Sequence, residues 1–351
     1  MKLELLGGLT ARSFLRRHWQ KRPLFVRRAL PGFRGATSLR ELRRLAARDD
    51  VESRIAVRAR RALKFTQGPV EYQRVFPARD WTILVSGVNL HVAAADRLLR
   101  RFAFLPQARL DDVMVSYAAP GGGVGPHVDS YDVFLVQGAG RRRWRVWTPG
   151  KKSHGEFICE AGDLLYLPPG WPHDGIALEP CFTYSVGFRA PKGRELAARF
   201  LDWLHERGLP DASYSDPGLA PTSHPAALPR DMVRFAKRLV DRIRWSEKDA
   251  ASLLGEYLSE PKPHVVFAPR RAAAPLGRAS VRLDAKTQLL YAGEQFFLNG
   301  ERLRLRGRDA ALARELADRR AIAGARLARS RLRDLVYDWR AAGYLHFERP
   351  A

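Results

Sequence analysis

The run GPHVDSYDVF, residues 125–134, places a histidine and an aspartate two positions apart in an otherwise apolar, strand-like stretch. A strand core favours neither side chain. Side chains alternate along a strand with period two, so His127 and Asp129 share one face. Neutral imidazole and carboxylate are both good ligands for a divalent first-row metal. Two histidines and one carboxylate on one side of such a metal leave three positions open, the usual site of non-haem Fe(II) oxygenases. A second histidine is therefore expected from another strand. His173 fits, because it follows DLLYLPPGWP, a strand and a Pro-Gly turn, and a further strand follows at 181–188. His154, in the polar stretch KKSHGE, reads as a loop residue without a flanking strand, and His18 lies on a helix. His-x-Asp alone recurs by chance, and a lone buried histidine is more often a hydrogen-bonded core residue. The weight rests on the pair followed by a sheet-rich run and PPGWPH.

Three open positions need occupants. A 2-oxoglutarate molecule would fill two through its keto-acid end and dioxygen the third. The far carboxylate then needs a buried cation, and GRRRWRVW offers one. Alternation groups Arg142, Trp144 and Val146 on one face and Arg141, Arg143, Arg145 and Trp147 on the other. Arg142, on the face of the core valine, is the expected clamp, since a planar guanidinium suits a carboxylate. The competing reading is that every arginine is solvated and Trp144 packs outside. Ser116, on the strand entering the Gly-rich turn, adds a hydroxyl donor; alone it is an ordinary strand serine.

The elements that must position these residues read as follows. Residues 10–20 form a short helix with Thr10 as N-cap, a strand follows Pro23, and a second helix starts at Ser38. Strands follow at 54–58 and 62–66, and a helix at 94–104. From Asp112 to Arg189 short strands punctuated by Gly and Pro turns suggest a sandwich or small barrel. Residues 206–230 are rich in proline. Two amphipathic helices follow, one with Met232, Phe235, Leu239 and Ile243 on a face, the other with Ala250, Leu253, Leu254, Tyr257 and Leu258. From about 264 the order strand, strand, helix, helix, strand suggests a winged-helix-like unit. Two helices cannot bury their apolar faces alone, so a homodimer is expected.

SYAAPGGGVGPHVDSYDVFLVQGAGRRRWRVW, then GDLLYLPPGWPHDG, then YSVGFRAP resembles the JmjC-type Fe(II)/2-oxoglutarate oxygenases, and more narrowly the bacterial ribosomal oxygenases. FLRRHWQKRPLFVRRAL is similar to that family's N-terminal segment. The resemblance spans nearly the whole chain, tightest at 112–147 and 162–191 and loosest after 264. It implies a mixed α/β chain. A double-stranded β-helix of the cupin/JmjC jelly-roll kind would occupy 1–205, a helical dimerisation region 206–263 and a winged-helix-like domain 264–351. It implies Fe(II) on His127, Asp129 and His173, and 2-oxoglutarate on Arg142 with help from Ser116. The expected reaction places one atom of O₂ on an arginine of the large-subunit ribosomal protein sixteen, with succinate and CO₂ as co-products. A basic substrate side chain wants carboxylates or aromatic faces at the mouth. Tyr131, Asp132 and Asp174 stand near the ligands in sequence and are the candidates, each with a plainer reading as a turn or core residue. The segment between Trp147 and the strand at 164 looks shorter than in some relatives, which bears on loop contacts to substrate.

Charge and composition bound the rest. No window approaches the apolar run of a membrane span, and the N-terminus lacks the layout of a signal peptide. Two cysteines cannot build a disulfide framework, so a reducing cytoplasm is the simplest compartment. The net charge is +24, yet only ten of the 61 basic residues are lysine. Arginine excess along a whole chain also follows from genome composition, so direct RNA or DNA binding stays open. Two rivals remain: a ligand-sensing cupin with a nucleic-acid-binding winged helix, and a metal-free cupin scaffold. The stretch 264–351 shows no obvious recognition helix, and the intact His-x-Asp and His173 set argues against the scaffold.

Overall fold

A computed structural model describes residues 2–59, 62–72, 75–150, 152–269, 276 and 279–348. The N-terminal half contains α1 (Ala11–Arg17), β1 (Leu24–Val26), α2 (Leu39–Ala46), β2 (Ser53–Ala59), β3 (Ala62–Gln67), β4 (Trp81–Val85) and α3 (Ala93–Arg100). Then come β5 (Leu110–Ala118), β6 (Val133–Ala139), β7 (Arg142–Trp147), β8 (Ser153–Cys159), β9 (Leu164–Leu167), β10 (His173–Ala177) and β11 (Cys181–Phe188). Two antiparallel sheets form from these strands. The larger runs β1-β9-β6-β11-β5-β4-β2-β3 and the smaller β10-β7-β8. The crossing order, with β6 between β9 and β11 and β7 between β10 and β8, is that of a double-stranded β-helix. His154 lies on β8 rather than in a loop; the polar composition of KKSHGE reflects the exposure of this outer strand.

The helix starts follow from local chemistry. Thr10 and Ser38 are N-caps whose side chains accept the backbone N–H of Ser13 and Glu41, satisfying donors that the first turn leaves unpaired. β6 and β9 show why the larger sheet holds. On one face Phe134, Val136, Leu164 and Tyr166 join a core with Phe14, Phe102 and Phe188. On the other, Val133, Leu135, Leu165 and Leu167 meet Trp144 and Val146 inside the barrel. A sheet covered on both faces must be apolar on both, hence the near-continuous hydrophobic runs. Each large side chain so buried contributes about 2 kcal/mol.

The remaining elements are α4 (Gly193–Glu206), α5 (Arg230–Val240), α6 (Glu247–Ser259), β12 (Ser280–Leu283), β13 (Leu289–Ala292), β14 (Gln295–Leu298) and β15 (Glu301–Arg304). They are followed by α7 (Gly307–Arg319), β16 (Ala321–Ala323), α8 (Leu332–Ala341) and β17 (Leu345–Glu348). The chain clusters into two compact units. One comprises residues 1–190, 261–287 and 311–351, and the other residues 191–260 and 288–310. The first holds the barrel and a small sheet β16-β12-β17. The second holds the sheet β13-β14-β15, with α6 packed on it so closely that a Cβ at Gly255 would lie 2.2 Å from the Phe297 ring. Ser246 and Asp249 cap α6 reciprocally. No helix among the described residues is long and apolar enough to cross a membrane.

Candidate active site

The Gly-rich turn after β5 carries His127 and Asp129 back across the barrel mouth. There His127 N–H donates to the His173 carbonyl and His173 N–H to the His127 carbonyl, each at 3.0 Å. The Asp129 carbonyl accepts Gly170 N–H at 2.9 Å. Backbone bonds thus bring together two segments far apart in sequence. One ligand atom from each of His127, Asp129 and His173 lies within 4.8 Å of the others.

The imidazoles are set up as ligands. Nδ1 of His127 stands 2.9 Å from the Gly125 carbonyl and Nδ1 of His173 2.9 Å from the Trp171 carbonyl. A carbonyl only accepts, so each Nδ1 must carry the proton and each Nε2 keeps its lone pair. Burial, then the neighbouring His127, hold His173 below its ordinary value, so it is neutral when it meets a cation. Asp129 supplies a carboxylate oxygen 3.6 Å from His173 Nε2.

Arg142 lies deeper in the same cavity of about 410 Å³. The strand alternation puts Arg142, Trp144 and Val146 inside and Arg145 outside. Arg142 is 4% exposed. Its Nη1 donates to Ser116 Oγ at 3.0 Å and to Thr183 Oγ1 at 3.1 Å, and Thr183 passes its own hydrogen to Gln137 Oε1 at 3.0 Å. All of these acceptors are neutral. Arg142 Nε is buried without a partner, as are Trp144 Nε1 and Thr82 Oγ1, whose residues also line the cavity. A buried charge left uncompensated is strongly destabilising, so this guanidinium requires an anion from outside the chain. The donor set and the orphaned cation together fit a divalent metal and a dicarboxylate.

The cavity lining also carries three more carboxylates, together with Arg54 and Lys262. Glu52, Asp111 and Asp112 line the cavity, and Asp112 Oδ2 accepts Gly87 N–H at 2.9 Å. Lys262, between Pro261 and Pro263, reaches in; its Nζ is 2.9 Å from Asp111 Oδ1 and 3.5 Å from Asp112 Oδ2. Burial holds the Asp112 carboxyl above its usual range although Lys262 opposes it. For Lys262 burial acts downward, and the two aspartates outweigh it and raise it.

Of the candidates for substrate contact, Tyr131 lines the cavity, with its phenol pushed up to about 12 by burial and by Asp129. Asp132 does not line it. It is fully buried on the opposite side, taking hydrogen bonds from Tyr166 Oη (2.6 Å), Gln20 Nε2 (3.0 Å) and Arg109 Nη2 (3.2 Å). Asp174 does not line it either, because as the neighbour of His173 on β10 it points to the other face. The sequence reading passed over Asp111, Asp112, Thr183 and Lys262. The paired aspartates opening DDVMVSY were visible as acids at a strand start. Lys262 carried no signal, since its part depends on the chain returning to the barrel.

Two family models match. The JmjC domain model covers residues 97–155 and 149–196, and the ROXA-like winged helix model covers 242–346. The ribosomal protein uL16 3-hydroxylase of Escherichia coli K12 is 37% identical over 320 residues, 83% of this chain and 84% of that protein. A probable ribosomal oxygenase of Haemophilus influenzae is 35% identical over 205 residues, 52% of this chain and 50% of its own length. The E. coli ribosomal oxygenase YcfD, solved with cobalt and 2-oxoglutarate, superposes with a TM-score of 0.85 at 32% identity, covering 97% of this chain and 99% of that one. Similarity that runs through barrel and C-terminal elements alike places this chain in the JmjC-type ribosomal oxygenase family.

Proposed function

We propose that the protein is an Fe(II)- and 2-oxoglutarate-dependent hydroxylase of an arginine side chain in ribosomal protein uL16. The observation that carries this reading is Arg142, a buried cation without an acidic partner, in one cavity with two histidines and a carboxylate poised as ligands. When bound, iron and 2-oxoglutarate supply the oxidising power that places one atom of O₂ on a C–H bond. His127, Asp129 and His173 hold the metal. Arg142, steadied by Ser116 and Thr183, binds the distal carboxylate of 2-oxoglutarate. Trp144, 5.2 Å from the Arg142 guanidinium, shields it from water.

These lining carboxylates speak for a cationic substrate. Asp111 and Asp112 already attract two cations, Lys262 on both and Arg189 on Asp111, and a substrate guanidinium with its planar fork of donors competes with the lysine for that pair. Tyr131 offers the ring face beside it. The E. coli relative, named as a uL16 hydroxylase, supports uL16 as the protein substrate. Two buried free thiols, Cys159 and Cys181, accord with a reducing cytoplasm. A homodimer through the helices of 206–263 completes the reading. α5 buries none of its residues within the chain, and Met232, Val233 and Val240 stand exposed on it.

The test is incubation of the iron-loaded protein with purified ribosomal proteins, 2-oxoglutarate and O₂. A mass gain of one oxygen atom, mapped to an arginine of uL16 and absent without 2-oxoglutarate, is expected. Succinate formation with no modified uL16 would reject the substrate, and no succinate at all would reject the reaction.

A further inference from the structure

Arg320 occupies a place that glycine or asparagine usually fills. Its φ is +57°, in the left-handed region, at the junction of α7 and β16. Its side chain is nevertheless buried, with 6% of the residue exposed. Nη2 donates to the carbonyls of Asp284 (2.6 Å) and Thr287 (2.9 Å), while Nη1 is buried with no partner. No ion pair found among the described residues includes it. Burial, reinforced by nearby Arg100, pushes the guanidinium down to about 9, which leaves it charged at neutral pH.

This is the condition of Arg142 over again: a buried guanidinium satisfied only by neutral oxygens, with one nitrogen unpartnered, on the wall of a cavity. The second cavity measures about 800 Å³ and shares no lining residue with the first. Four more arginines line it. Three are neutralised, Arg100 by Asp96 at 2.9 Å, Arg282 by Glu348 at 2.7 Å and Arg319 by Glu315 at 3.4 Å. Arg97 is exposed on the same wall. Against five guanidinium groups the wall sets two carboxylates, Asp96 and Asp318.

We propose that this cavity is an anion site that takes a phosphate group, with Arg320 as its buried donor and Arg97 and Arg100 at its wall. Several guanidinium groups lining one cavity suit an anion that offers several oxygens at once, as phosphate does. The ligand is free phosphate or a phosphodiester of an RNA strand; the cavity has room for either. An extended basic peptide, the substrate of the first site, is excluded here by charge.

The experiment measures thermal stability and binding of the full chain. 2-Oxoglutarate is kept saturating so that Arg142 is occupied, and ionic strength is matched with chloride. Inorganic phosphate and a labelled oligouridylate are the two probes. Phosphate should raise the melting temperature of the wild type along a saturable curve. Arg320→Asn retains a residue that accepts the left-handed turn but leaves the Asp284 and Thr287 carbonyls without their donor, so its melting temperature should fall somewhat in chloride, and the phosphate gain should vanish. Arg97→Gln and Arg100→Gln should weaken binding by about tenfold, as expected for one charged hydrogen bond. Arg101→Gln, on the exposed side of the segment after α3, should leave it unchanged. Oligouridylate binding that Arg320→Asn removes makes RNA the source of the phosphate; saturable phosphate binding without any RNA binding makes it the free ion. The proposal is overturned if phosphate gives no saturable gain, or if Arg320→Asn binds either probe as the wild type does. It is also overturned if Arg320→Asn melts lower by the same amount in chloride and phosphate, which would make Arg320 only a cap for the Asp284 and Thr287 carbonyls.

Discussion

On the proposed reading His127 and Arg142 act on different molecules, and their variants should separate accordingly. His127→Ala removes a ligand but sits at the barrel mouth, where truncation opens no core cavity. It should abolish 2-oxoglutarate turnover while the melting temperature of the metal-free protein stays near that of the wild type; persistent succinate production would exclude His127 as a ligand. Arg142→Ala removes charged hydrogen bonds to the cosubstrate, about 1.5–3 kcal/mol, so the KM for 2-oxoglutarate should rise roughly tenfold to a hundredfold, with little change in that for peptide. Arg141→Ala, whose side chain meets Glu179 at the surface, should change neither. Lys262→Met leaves Asp112 without its cation and Asp111 with Arg189 alone, which opens the pair to the substrate's cation. Its expected effect is a lower KM for the basic peptide with 2-oxoglutarate kinetics unmoved, and steady-state assays with both substrates varied would show it. A higher peptide KM would mean that Lys262 only supports the wall. What local spacing made readable was placement. His127 and Asp129 do join one ligand cluster, though from an isolated bridge and the loop after it rather than the strand expected, and the odd–even choice put Arg142 inside and Arg141 at the surface. Lys262 was not readable, because nothing near PKP in the sequence says that it returns to β5. Asp132 misled for the complementary reason: closeness in sequence to Asp129 said nothing of which side of the chain it faces.

At the scale of elements, the Gly-rich turn positions the site by close approach. A Cβ at Gly122 would stand 2.2 Å from the Trp81 carbonyl oxygen and one at Gly123 2.4 Å from that of Gly175. The turn is also laced to β10, with Gly121 N–H on the Ala177 carbonyl at 2.8 Å and Ala177 N–H on that of Gly122 at 2.9 Å. Gly123→Ala must push the turn off β10 and carry His127 with it. A loss of about 1–3 kcal/mol in stability is expected, together with weaker metal affinity. Calorimetry with and without Mn(II) would read both, and a change in stability alone would show that the turn moves independently of the ligands. The barrel itself was legible as short strands and turns, and the capped helices α1 and α2 from their N-cap residues. The strand pairing was not legible, since β1 finds β9 and β4 finds β5 through contacts no local pattern records.

At the scale of the molecule, a chain of net charge +24 must capture a basic polypeptide. Long-range attraction is absent, so binding rests on the local carboxylates that line the cavity. Added salt screens the repulsion, and the KM for peptide should stay flat or fall as ionic strength rises. RNA bound through phosphates would respond oppositely, its affinity dropping steeply over the same range. For the assembly, light scattering at micromolar concentration should give about twice 39.7 kDa. Mutating Met232 and Val240 to Asp on α5 should return a monomer, and a wild-type monomer would reject the proposed pairing.

The order in which the chain is made gives the lysine at the cavity wall a temporal meaning. Translation is vectorial, and N-terminal domains can fold while the rest is still being synthesised. Every proposed metal and cosubstrate ligand precedes residue 190, whereas Lys262 is added only after the chain has left the barrel's unit, run through α4 to α6 and come back. A barrel that folds on a nascent chain therefore presents Asp111 paired with Arg189 alone and Asp112 without a cation, and release of the next segment adds Lys262 to both. The finished enzyme meets its substrate with a cation already in place, one that an incoming arginine must outcompete. The nascent barrel has Arg189 on Asp111 but lacks this second cation.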